Sequence, residues 1–103
     1  MPADDRLHSD SVDRLFDAIL QLKGRDEAYR FFEDIATPAE IRALAQRWEV
    51  ARRLDAGEPI RRVAAETGAS TATVSRVNRC LQYGADGYRL VLDRTKPKRR
   101  SNK

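Results

Sequence analysis

Between Ser70 and Arg79 the chain gathers Ser70, Thr71, Ala72, Thr73, Ser75, Arg76, Asn78 and Arg79, side chains of the kind that read nucleic-acid bases and grip phosphates. Arginine contacts guanine at two points, asparagine does the same to adenine, and the methyls of threonine or alanine meet the thymine methyl. On a helix presented to a major groove by its N-terminal end, Ser70, Thr71, Ala72, Thr73, Arg76 and Arg79 become candidate base readers, with Arg79 the most peripheral. Ser75 and Asn78 are then candidates for phosphate oxygens. Arg61 and Arg62, just upstream, and Lys98, Arg99 and Arg100, near the end of the sequence, are further candidate phosphate contacts.

Such residues read bases only if something holds them in register. The stretch from Ile60 to Val77 has the spacing of a helix-turn-helix at about residues 60–80. Ala64 supplies the small residue needed where two steeply crossed helices touch, and Gly68 suits the turn because a left-handed conformation is open to glycine. Val63, Ala69, Val74 and Val77 are expected to face a shared core, and Ser70 can also cap the second helix. The competing structural reading is a plain helical hairpin with a solvated basic face. Turn glycine, small residue, apolar spacing and basic surface agree on the first.

Elsewhere the apolar residues recur at helical spacing, with no clean alternating run bounded by hairpin turns, so an all-α fold of about six helices is expected. Val12, Leu15, Phe16, Ile19 and Leu22 form one face of a first helix, with Ser9 or Ser11 as cap and Gly24 as stop. A second starts near Asp26 and carries Ala28, Phe31, Phe32 and Ile35, whose aromatics suit a core or a subunit contact. Thr37-Pro38-Ala39-Glu40 has the order of a capping box with proline at the first helical position. The helix it starts continues through Ile41, Leu44, Ala45, Trp48, Ala51 and Leu54 to Gly57. After Tyr83-Gly84 a last helix holds Tyr88, Val91 and Leu92. The expected organisation is one helical domain, residues 1–93, and a basic, disordered tail, residues 94–103.

A chain of 103 residues with 41% hydrophobic and 35% charged composition fits one small domain whose modest core favours dimerisation. No apolar stretch approaches a membrane span and the start has no signal-peptide core, which points to the cytoplasm without membrane contact. With one cysteine, Cys80, and one histidine, His8, neither a disulfide, a structural metal site nor an activated thiol is expected. No phosphate-binding glycine loop is present, Asp10, Asp13 and Asp17 read as a solvated acidic face, and no enzyme, cofactor or metal is expected. The net charge of +4 is uneven: residues 1–41 hold 5 Lys/Arg against 10 Asp/Glu, residues 42–79 hold 8 against 4, and residues 94–103 hold 6 against none. A polyanionic partner, double-stranded DNA, is implied.

Over roughly Val12 to Asp93 the chain resembles the Trp repressor family, especially its YerC/YecD branch. The resemblance is carried by Thr37-Pro38-Ala39-Glu40, Arg47, the Leu54–Gly57 helix end, Gly68 through Arg76, and Cys80-Leu81-Gln82-Tyr83-Gly84-Ala85-Asp86-Gly87-Tyr88-Arg89-Leu90. It implies six helices per subunit, an intertwined homodimer, and two recognition helices entering successive major grooves; the Trp repressor is itself a standard example of that docking. The family prototype holds L-tryptophan between two arginines that correspond to Arg47 and Arg76, which marks Thr37, Arg47, Arg76, Val77 and Cys80 as a possible effector pocket. Val77 stands where the prototype has glycine and Cys80 where it has serine, and both changes argue against L-tryptophan as the ligand. The expectation is instead that Arg47 pairs with a carboxylate, Arg76 meets DNA and Val77 fills the pocket; whether another small molecule binds is left open.

Two functions are consistent with these features. The first is a sequence-specific, DNA-binding transcriptional regulator, a homodimeric repressor reading a near-palindromic operator through the major groove. The alternative is a helical protein-interaction module that binds nucleic acid without sequence preference.

Overall fold

Caps and apolar spacing decide where each helix starts and stops. The computed structural model describes residues 7–96 and shows, among them, six helices and no strand. α1 covers Asp10–Ile19, α2 Arg25–Ile35, α3 Pro38–Asp55, α4 Ile60–Thr67, α5 Thr71–Tyr83 and α6 Gly87–Thr95. The fold is all-α, as the spacing predicts. Lys98, Arg99 and Arg100 lie outside the described residues.

Ser9 caps α1, accepting from the Val12 amide at 3.2 Å, and Asp10 and Asp13 in the first turn complement the positive end of the helix. One boundary differs from expectation. α1 stops at Ile19, not Gly24, because the amides of Gln21 and Leu22 bond back three residues to Ala18 and Ile19 in tighter turns. Apolar spacing does not distinguish that tightening from another helical turn. Gly24 instead stands at the N-terminus of α2. At α3 the capping box forms in full: the Thr37 amide donates to Glu40 Oε1 at 2.8 Å and the Glu40 amide to Thr37 Oγ1 at 3.1 Å. The same helix closes with the Glu58 amide on the Arg53 carbonyl and the Gly57 amide on the Leu54 carbonyl, the paired bonds of a Schellman ending.

The chain divides into two compact units between Leu44 and Ala45. In the first, neither α1 nor α2 buries a residue fully, and Phe16, Leu20, Tyr29, Ile35 and Leu44 are exposed. Phe31 and Phe32 meet edge to face, centroids 5.6 Å apart, yet remain half-buried. In the second unit Val50, Ala51, Val63, Ala69, Val74 and Val77 form a closed core, with Trp48, Leu54, Ala64, Leu81 and Tyr88 packed around it. Each fully buried valine there stabilises the fold by roughly 1.5–2 kcal/mol.

α6 is fastened to the end of α3 by charge. Asp55 accepts from Arg89 at 2.8 Å and lies 3.2 Å from Lys96 Nζ, while Asp93 sits 3.6 Å from the same Arg89. α6 thus runs two residues into the stretch read as a tail. The Arg89 hydrogen bond, opposed by burial and helped by Lys96, holds the Asp55 carboxyl below its ordinary value of 3.8. A carboxyl that titrates lower in the folded state stabilises the fold above its unfolded pKa, and the contribution is lost as pH falls through the folded value. Asp55→Asn is therefore expected to melt about 2–5 °C below the parent at neutral pH. In thermal melts across pH, that gap closes in strong acid; a gap constant down to about pH 2 would contradict the assignment.

Candidate nucleic-acid interface

α4, the turn Gly68-Ala69-Ser70 and α5 form the helix-turn-helix. Val63, Ala69, Val74 and Val77 are all buried, as their spacing predicts, and close on Val50 and Ala51 of α3. Gly68 adopts φ 76°, ψ 2°, a left-handed conformation that strains residues with a side chain. Thr67 steadies the turn: its hydroxyl donates to the Val63 carbonyl at 2.7 Å and accepts from the Ala69 amide at 3.2 Å. Gln46 of α3 donates to the Thr67 carbonyl at 3.3 Å and so ties the turn to the long helix.

Ser70 begins α5, accepting from the Thr73 amide at 3.1 Å, with the two side-chain hydroxyls also 3.1 Å apart. Both hydroxyls are therefore already engaged in the helix start, though Ser70 remains exposed. Thr71, Ala72, Ser75, Arg76 and Arg79 project into solvent from α5, whereas Thr73 and Asn78 are half-buried. Arg61 and Arg62 are exposed in the first turn of α4.

Charge pairing in the second unit is segregated. Glu49 pairs with Arg52 at 2.6 Å and Arg53 at 3.0 Å, Glu58 with Arg53 at 3.2 Å, and Asp55 and Asp93 with Arg89 and Lys96. The Arg53 hydrogen bond is the main cause that lowers the Glu49 pKa. Among the described residues Arg47, Arg61, Arg62, Arg76 and Arg79 form no ion pair. The paired carboxylates thus neutralise cations at the end of α3 and on and just after α6, and leave the helix-turn-helix arginines available to an external anion.

Behind α5, Arg47, Thr73, Arg76, Val77, Cys80 and Tyr88 line a cleft of about 210 Å³. Four of the five residues marked as a possible effector pocket meet there; Thr37 serves the α3 cap. Two details depart from expectation. Arg47 has no carboxylate partner among the described residues. Val77 does not fill the cleft, because its side chain, 2% exposed, is drawn into the valine core.

The cleft also contains a wall that the sequence reading did not assign. Tyr88 stacks on Trp48, ring centroids 6.4 Å apart and planes at 18°. Burial raises the Tyr88 pKa, Cys80 adds to the rise, and Arg47 and Arg76 both pull it down. α6 returns toward α3 through Gly84, where any Cβ would stand 2.5 Å from the Cys80 carbonyl oxygen. The available signal was a half-apolar α6 face pairing Tyr88 with Leu92 four residues on.

With the site described, its likeness to known proteins can be placed. The family model described as Trp repressor protein matches residues 10–96. The chain is 54% identical over 92 residues to the uncharacterized protein YerC of Bacillus subtilis, covering 89% of this chain and 88% of that one. It superposes on the crystal structure of a TrpR-like protein from Eubacterium eligens with TM-score 0.85 and 50% identity, over 92% of this chain and all of the other. A proposed Trp repressor from Staphylococcus aureus gives TM-score 0.86 and 45% identity, over 93% and 96% of the two chains.

The Ser70 cap is directly testable. Ser70→Ala is expected to lower stability in urea by about 1 kcal/mol and Ser70→Asn by a few tenths at most. Equal stability of the alanine variant and the parent would remove Ser70 as the anchor of α5.

Proposed function

This chain belongs to the Trp repressor protein family, and from that premise we propose that it is a homodimeric transcriptional repressor that reads a near-palindromic duplex through α5. The observation that carries the reading is the exposed face of α5, where Thr71, Ala72, Ser75, Arg76 and Arg79 project from a helix held by a buried valine core. Base reading requires that combination of polar exposure and rigid support. Arg61 and Arg62, and the basic run Lys98 to Arg100, add phosphate contacts that make binding fall steeply with salt. Its place of action is the cytoplasm, and no described helix is long and apolar enough to cross a membrane.

The dimer is supported by the first unit. Isolated helices of 10 and 11 residues are marginal in water, and α1 and α2 bury no residue fully within one copy. A second copy of the chain supplies the missing cover for Phe16, Leu20, Tyr29 and Ile35. Against L-tryptophan as effector stands Tyr88, whose ring already lines the cleft between Arg47 and Arg76.

Selection from a random duplex library at near-physiological salt tests the proposal. Enriched sequences are expected to carry a two-fold motif with half-sites about 34 Å apart. Equal retention of all sequences would instead favour the interaction-module reading. On the enriched duplex, Arg61→Ala and Arg62→Ala, each removing one phosphate contact from both subunits of the dimer, should each reduce the slope of log affinity against log salt by about 1.8. In sedimentation equilibrium the parent is expected as a dimer, and Phe16→Asp as a weakened dimer or an unfolded monomer; a compact monomeric parent would refute that assembly.

A further inference from the structure

Tyr88 lies outside the surface offered to DNA, yet it is tied to α3 and borders residues of α5. Its ring lies on Trp48 of α3, and the next residue, Arg89, is bonded to Asp55 of the same helix. Leu92, one turn further on, is buried, and the close approach at Gly84 fixes how α6 leaves α5. Tyr88 therefore has little freedom of its own. It also borders two depressions at once: the cleft it shares with Arg47, Thr73, Arg76, Val77 and Cys80, and an apolar groove beside Trp48 and Val91.

Resting on the DNA-reading proposal above, we propose that Tyr88 is a positioning residue for recognition: stacked on Trp48, it walls the cleft shared by Arg47 and Arg76. The chain itself thereby sets α5 for DNA without an added small molecule. The physical reason is preorganisation. Arg76 has no ion pair among the described residues to hold it, and arginine loses much side-chain freedom when a partner immobilises it. Removing the ring would enlarge the 210 Å³ cleft behind Arg76 and give its side chain and the α5 backbone new states to occupy. Those states must be given up again on binding DNA. Burial raises the Tyr88 pKa above its ordinary value against the opposing pull of Arg47 and Arg76, so the phenol in the cleft is neutral at physiological pH.

The test uses the full chain, the enriched duplex and a scrambled duplex of equal length. Tyr88→Ala is expected to lose about tenfold or more on the enriched duplex with less than about twofold change on the scrambled one. Tyr88→Phe, which keeps the ring, should stay within about threefold of the parent on both. Millimolar 4-methylphenol, an analogue of the tyrosine side chain, should restore enriched-duplex binding by Tyr88→Ala and leave the parent unchanged. A merely structural role would weaken both duplexes together. Parent-like discrimination by Tyr88→Ala, equal loss on both duplexes, or no rescue by 4-methylphenol overturns the proposal. If circular dichroism shows Tyr88→Ala unfolded, Tyr88→Leu, which keeps apolar volume without a planar ring, is read by the same loss of discrimination. A parent that does not discriminate refutes the DNA-reading proposal itself, and the parent measurement alone identifies that case.

Discussion

Closure of Val63, Val74 and Val77 on Val50 and Ala51 is the packing on which the second unit depends. All five side chains are within 2% of complete burial, so a helix-turn-helix of only 8 and 13 helical residues is held on a long helix by direct apolar contact. Such short helices have little stability alone. The same valines that bury one face of α5 oblige its other face to turn outward, which is how an apolar constraint presents Thr71, Ala72, Ser75, Arg76 and Arg79 to solvent.

Electrostatics completes what packing begins. The acids of the second unit that pair, Glu49, Asp55, Glu58 and Asp93, all engage cations at the end of α3 and along α6. Of these, only the Asp55 pairs with Arg89 and Lys96 join α6 to α3, and they strengthen that attachment modestly because both cations remain solvent-accessible. The larger consequence of the pairing is spatial: among the described residues the arginines of α4 and α5 form no ion pair, so their charge is available where the polar side chains project.

Local features were the most legible in the sequence. The capping box at Thr37 to Glu40, the glycine turn at Gly68 and the apolar positions of the helix-turn-helix each depend on residues within a few positions of one another, and each is where spacing placed it. The end of α1 was misread because tightened turns and helical turns share similar apolar spacing. The unpaired state of Arg47 among the described residues and the wall formed by Tyr88 were not legible. Trp48 and Tyr88 stack across 40 residues of chain, and whether any carboxylate reaches Arg47 depends on how elements distant in sequence pack. Such choices are settled by tertiary geometry, on which local pattern is silent. The proposed dimer was implied by family resemblance; α1 and α2 bury no residue fully within one copy.

The central claim is that α5 enters a major groove and reads bases there. Protection of guanine N7 from methylation on an enriched duplex measures this directly, because N7 lies in the major groove and is the arginine contact point. The account predicts two protected clusters about 34 Å apart on one face of the duplex, both lost when Arg76 and Arg79 are replaced by alanine. Tight binding with every guanine N7 still reactive would show that the protein holds only phosphates, and would contradict it.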